Sequence, residues 1–124
     1  MSAIAQGVGM NDKPHLDEEA LAELQDVMED EFEVLIDTYL NDSRERIASL
    51  RLSLQDGDAD AFARTAHSFK GSCFNIGAPH LGELCLEAEK AGKAEQLDAA
   101  PPLVDAVEEE FRTVSVMLEK LLDR

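Results

Sequence analysis

From Phe32 to Leu54 the apolar side chains return at steps of three and four: Phe32, Leu35, Ile36, Tyr39, Leu40, Ile47, Leu50 and Leu54. That spacing keeps one face of an α-helix apolar for about six turns. Polar Ser43 occupies one step of the stripe and predicts a local thinning of the core. Upstream, Leu21, Leu24 and Met28 make a shorter stripe behind Asp17, Glu18 and Glu19, whose charges favour a helix start. Downstream, Phe62, Thr65, Ala66, Phe69, Cys73 and Ile76 form a third stripe, and Leu81, Leu84, Cys85 and Ala88 a fourth. Val104, Val107, Phe111, Val114, Leu118 and Leu121 form a fifth, alternating threes and fours without a break, as a bundle seam does.

The residues between the stripes are helix stops and starts. The second helix begins near Asp30 or Glu31. Gly57 suits the residue after its end, and Asp58 can cap the next. Gly77 stops the third helix, Pro79 fits the first turn of the fourth, and Gly92 ends that one. Gly77, Gly82 and Gly92 read as helix-edge or loop residues. Residues 94–100 form a connector with room for one helical turn, and Pro101 and Pro102 open the last helix. Met1 to His15 holds two Gly and a Pro with no sustained period, and reads as a mobile tail ahead of one domain over residues 16–124. No strand pattern occurs. The expected fold is all-α: a roughly antiparallel four-helix bundle with a short extra N-terminal helix.

Composition sharpens this picture. One Tyr, five Phe and no Trp leave a core of Leu, Val, Ile and Ala, which suits helix packing better than a sheet. A formal net charge of −16 argues against nucleic acid and anionic membrane surfaces as partners, since both are bound through Lys and Arg. No stretch reaches the apolar length of a bilayer span, and the first ten residues carry no Lys or Arg, as a secretory signal would. A soluble, cytoplasmic protein is the expectation. Cys73 and Cys85 fit neither a metal spacing nor a disulfide framework, and both fall on apolar stripes as small buried hydrophobes. His15 and His80 have no companions in the sequence, and no Glu-x-x-His pair supports a metal bundle.

The candidate chemistry lies on the third helix. At about 100° per residue, His67 points about 200° away from Phe69 of the buried stripe. The same arithmetic gathers Arg64, Lys70, Gly71 and Phe74 around it. This exposed face offers an imidazole, two cations, a position without a side chain and an aromatic ring. Two readings of Phe74 stay open: it tucks against the loop at Gly77, or it makes an apolar contact for a partner. The acids closest to His67 along the chain, Asp58 and Asp60, lie two turns back and read as capping charges rather than a Mg²⁺ site.

The run His67, Phe69, Lys70, Gly71, Ser72, Cys73, Asn75, Ile76, Gly77 and Ala78 resembles the signature of histidine-containing phosphotransfer (HPt) domains. Phe74 departs from it, because the family usually has a small residue there. The resemblance implies a four-helix bundle with His67 as phosphoryl acceptor. Lys70 would reach the phosphoryl oxygens, and the missing side chain of Gly71 would leave room for a partner's loops. Arg64, Gly71 and Phe74 would meet that partner, while Ser72, Asn75 and Gly77 would be structural: Ser72 bonding a backbone carbonyl or a neighbouring helix, Asn75 the turn made by Gly77. A neutral imidazole nitrogen is a good nucleophile, and positioning and electrostatics dominate phosphoryl transfer.

The chain has no phosphate-binding loop of the GxxxxGK type and no nucleotide-binding box, and with no ATP-binding domain in it a complete histidine kinase is not expected. In the family, the receiver domain supplies the phosphorylated Asp, the Mg²⁺ and a Lys. The expectation is therefore a monomeric phosphorelay intermediate with no cofactor of its own. Its partners would be receiver domains of hybrid sensor kinases and of response regulators. The alternative is a non-catalytic helical adaptor, which would have no need of His67 beside Lys70.

Overall fold

The computed structural model describes residues 13–123, and all of its regular structure is helical. Five α-helices follow one another: α1 (Glu18–Met28), α2 (Glu31–Asp56), α3 (Ala59–Ile76), α4 (Pro79–Lys93) and α5 (Pro101–Leu121), with a short 3₁₀ turn at Leu97–Ala99. Local chemistry sets the boundaries. Asp17 and Asp58 accept the backbone N–H groups of Ala20 and Ala61, capping α1 and α3. Gly57 and Gly77 take the left-handed conformation that closes α2 and α3. The prolines open α4 and α5 as expected.

Cross-helix contacts give the topology. Tyr39 and Arg46 of α2 meet Cys73 and Ser68 of α3, so these two helices run antiparallel. Arg51 of α2 pairs with Asp105 and Glu108 of α5, and Arg44 lies over the Phe111 ring, again antiparallel. The stripes of α2 to α5 close on one core around Ile36, Leu50, Phe62, Phe69, Leu81, Val107 and Leu118. Leu121, the last step of the α5 seam, stays exposed where the helix ends. Ser43, the polar step of the α2 stripe, is fully buried. Both cysteines are free and buried, and the Tyr39 hydroxyl lies 3.3 Å from Cys73 Sγ.

Three expectations change. α4 does not end at Gly92; it runs through to Lys93 with Gly92 buried. The tail assigned to Met1–His15 lies outside the described residues for its first twelve positions, and the rest of it is tied down. The Pro14 carbonyl accepts the His80 N–H at 3.2 Å, and Asp17 N–H donates to the Gly77 carbonyl at 2.7 Å. Leu16 is buried in the core. His15 and His80, expected to stand alone, meet edge to face at 6.2 Å around Glu110. His15 Nδ1 is 2.6 Å from one Glu110 oxygen, and His80 Nε2 is 3.9 Å from the other. Neither pairing leaves a trace in the sequence, because the partners sit 30 and 95 positions away along the chain.

Candidate functional site

The buried face of α3, made by Phe62, Ala66, Phe69, Cys73 and Ile76, turns His67 outward, with 66% of its side chain exposed. α4 lies antiparallel beside it, and small residues set the spacing. A Cβ added at Gly92 would come within 3.0 Å of the Ala63 backbone, so the helices touch there. That close approach brings Glu89, one turn back along α4, against His67.

Glu89 is the centre of the site. Its side chain is only 3% exposed, yet three donors converge on it. His67 Nδ1 lies 2.8 Å from Oε2, Lys93 Nζ 3.1 Å from the same oxygen, and Lys70 Nζ 2.8 Å from Oε1. Burial alone would push this carboxyl up. Hydrogen bonds from Lys70, Lys93 and His67 outweigh that cost and hold its pKa at about 2. An ionised carboxylate only accepts, so the proton of a neutral His67 sits on Nδ1. The lone pair is then left on Nε2, on the far side of an exposed ring.

Asp58 and Asp60, the acids closest to His67 along the chain, are not the acids closest to it in space. Asp58 caps α3 and Asp60 pairs with Arg64, while the acid that touches His67 comes from α4. One signal could have found it. Glu89 follows Cys85 by four on the buried side of α4, and a carboxylate on an apolar stripe must be paired.

The remaining sequence-chosen residues separate. Lys70 is half-buried on Glu89, Arg64 is exposed, and Gly71 has nothing within 4 Å of where a Cβ would stand. Phe74 is 43% exposed, and its ring lies on Gly82 of α4 rather than against the turn at Gly77. Gly82 and Gly92 are therefore contact positions, not helix-edge residues. Ser72 and Asn75 make no side-chain hydrogen bond among the described residues. The turn is closed by backbone alone, through bonds from Gly77 and Ala78 to Phe74 and Cys73. The hydroxyl that does bridge helices is Ser68, which accepts two N–H groups from Arg46 of α2 at 3.2 and 3.0 Å. Sequence gave no hint of that bond.

His67 stands between two grooves. One, of about 630 Å³, runs between the start of α3 and the end of α4, past Arg64 and Lys93. The other, of about 700 Å³, runs among α1, α2 and α3, with apolar Leu24, Met28, Leu35 and Ile76 and with Arg46. Among the described residues no three His, Cys, Asp or Glu side chains gather as a metal site. The carboxylates close to His67 are already engaged in a cap and ion pairs.

The sequence model of the Hpt domain matches residues 34–122, which is most of the chain and includes the whole site. The chain belongs to the Hpt domain family. As such it is a histidine phosphotransfer protein, an intermediate of phosphorelays. Among solved structures, histidine-containing phosphotransfer protein B (HptB) from Pseudomonas aeruginosa PAO1 is 48% identical, with a TM-score of 0.83 over 86% of this chain and 93% of that one. The maize histidine-containing phosphotransfer protein ZmHP2 is 20% identical, with a TM-score of 0.80 over 96% and 98% of the two chains, and so shares the Hpt fold. A comparison with curated protein sequences gives no match. Like other members of the Hpt family, the protein is a helical bundle, and none of its described helices is long and apolar enough to cross a membrane.

Proposed function

We propose that His67 is the phosphoryl acceptor and that the donor is the aspartyl phosphate of a receiver domain. The observation that carries this reading is the bond from His67 Nδ1 to buried Glu89, which in the neutral ring leaves the Nε2 lone pair on an exposed edge. In the transfer, Nε2 forms a bond to phosphorus as the bond from phosphorus to the aspartate oxygen breaks. The electron pair leaves with the aspartate, which is released as a carboxylate. The reverse step on a second receiver restores the free imidazole. Positive charge that develops on the ring is met by Glu89, held ionised by its lysines. Lys70 stands one turn away, and its other donors can turn to the phosphoryl oxygens.

The donor set around His67 does not fit Mg²⁺, since each nearby carboxylate is committed. On this reading the receiver brings the metal, and this chain supplies a held nucleophile and its charge. Arg64, Gly71 and the exposed edge of Phe74 lie on the face the receiver covers. The donor is the receiver of a hybrid sensor kinase and the recipient that of a response regulator, met by a monomer in the cytoplasm.

The test is His67→Gln. An exposed side chain should tolerate the change within about 0.5 kcal/mol of stability, while phosphoryl uptake from a labelled receiver disappears. Label on the parent chain should be lost in acid and kept in base, as a phosphoramidate requires. A stable His67→Gln that still takes label, or label that survives acid, sinks the assignment.

A further inference from the structure

Arg46 is placed unusually for a cation in so acidic a chain. Twenty-seven Asp and Glu face eleven Lys and Arg. Two other arginines take carboxylates: Arg51 holds Asp105 and Glu108, and Arg64 holds Asp60. Arg44 donates to the Asn41 side-chain oxygen at 3.1 Å and rests over the Phe111 ring on the side of α2 that meets α5, away from His67. Arg46 is half-buried in the groove beside His67, and two of its N–H groups end on one neutral hydroxyl, Ser68 Oγ. Among the described residues no carboxylate pairs with it, although Asp42 lines the same groove. A hydroxyl oxygen is a weak acceptor for a guanidinium. The planar fork matches a carboxylate in two parallel bonds, each about twice as strong as a neutral one.

The groove adds direction. It passes Gly71, where nothing stands above the backbone, and it ends in apolar side chains of α1 and α2. A partner that reaches His67 over the open Gly71 side brings its surface down on Arg46. We infer that Arg46 is a docking residue for the receiver: its guanidinium rests on Ser68 in the free protein and pairs with a carboxylate at the rim of the receiver's acidic pocket in the complex. This rests on the reading of His67 as the acceptor for receivers. Arg46 acts on the encounter and not on the phosphoryl group, whose nitrogen acceptor is already served by Glu89 and Lys70. It also gives a receiver with a carboxylate at the matching position an advantage over one without.

The experiment follows transfer to the full chain from a receiver domain charged with labelled acetyl phosphate, chosen because it labels the parent. Parent, Arg46→Ala, Arg46→Lys and Ser68→Ala are compared for KM, kcat and melting temperature. Arg46→Ala should raise KM about tenfold with kcat within about twofold of the parent. Arg46→Lys, which keeps the charge and loses the fork, should recover part of that loss. Ser68→Ala should leave KM within about twofold, because it removes only the resting partner. An unchanged KM in Arg46→Ala overturns the inference. So does an equal loss in Ser68→Ala, which would make the bond a clip between helices. A fall in kcat at constant KM would place Arg46 on the phosphoryl group and overturn it too. If Arg46→Ala fails to fold, Arg46→Lys decides, because a KM equal to the parent's or a loss confined to kcat counts against the docking role. Failure of the parent to take label from any receiver would instead sink the functional reading.

Discussion

A carboxylate that stays ionised against its own burial makes stability depend on acid. Glu89 is held at about 2, against an ordinary value of 4.5. Its contribution is therefore complete above pH 4.5 and lost as the pH falls towards 2. Replacing it removes a contribution on the order of 3 kcal/mol. In urea titrations Glu89→Gln should be less stable than the parent at pH 7, and the gap should close between about pH 4.5 and 2. A gap of constant size would mean that Lys70, Lys93 and His67 do not hold the charge. At this scale the sequence was half legible. His67 and Lys70 sit at fixed helical angles to a clear apolar stripe, so their placement followed from periodicity. Glu89 and Arg46 reach the site from other helices, and pairings between helices have no periodic signal.

Three glycines on the paired helices α3 and α4 do three different things, and substitution separates them. Alanine favours a helix by about 1 kcal/mol over glycine. At Gly71 nothing opposes this gain, so Gly71→Ala should raise stability by about that amount. At Gly82 the new methyl meets the outer atoms of the Phe74 ring at 2.8 Å, and a half-exposed ring can swing away. Gly82→Ala should therefore be close to neutral, and should stabilise more once Phe74 is also Ala. At Gly92 the methyl meets Ala63 backbone at 3.0 Å, which can yield only if the helices part. Gly92→Ala should cost about 1–3 kcal/mol despite its better propensity, and the separation should pull Glu89 from His67. Thermal melts of the four variants check the order; a stabilising Gly92→Ala would contradict the close approach. The helices themselves were readable because caps, prolines and stripes agreed. Helix spacing was not, because a glycine looks the same whether it ends a helix or seats a neighbour.

Across the whole molecule, four of the eleven basic side chains, Arg46, Arg64, Lys70 and Lys93, stand around His67 or along its two grooves. On the proposed docking, an acidic receiver would be repelled by the net charge and drawn in by this cluster. Salt screens both at a Debye length of about 10 Å, so the KM for transfer should change less than about threefold between 50 and 300 mM. Gly71→Glu places a carboxylate in the open gap and should raise that KM about tenfold or more, with the fold intact. Unchanged transfer by Gly71→Glu would mean that receivers do not cross this face. The stretch before α1 was the least legible at this scale. It has no period, and its anchors lie at Gly77, His80 and Glu110, far along the chain.

Those anchors make the start of the domain and its central turn a single opening unit. The Asp17 and His80 amides are protected by bonds that cross the same seam in opposite directions. One fluctuation that lifts residues 14–17 exposes both to solvent. Their hydrogen–deuterium exchange should share one rate, and His15→Ala, which cuts the tie to Glu110, should speed both together. Amides of Leu50 and Val107, deep in the bundle, should keep their slow exchange. If Asp17 accelerates and His80 does not, the two bonds open independently and the unit dissolves into separate contacts.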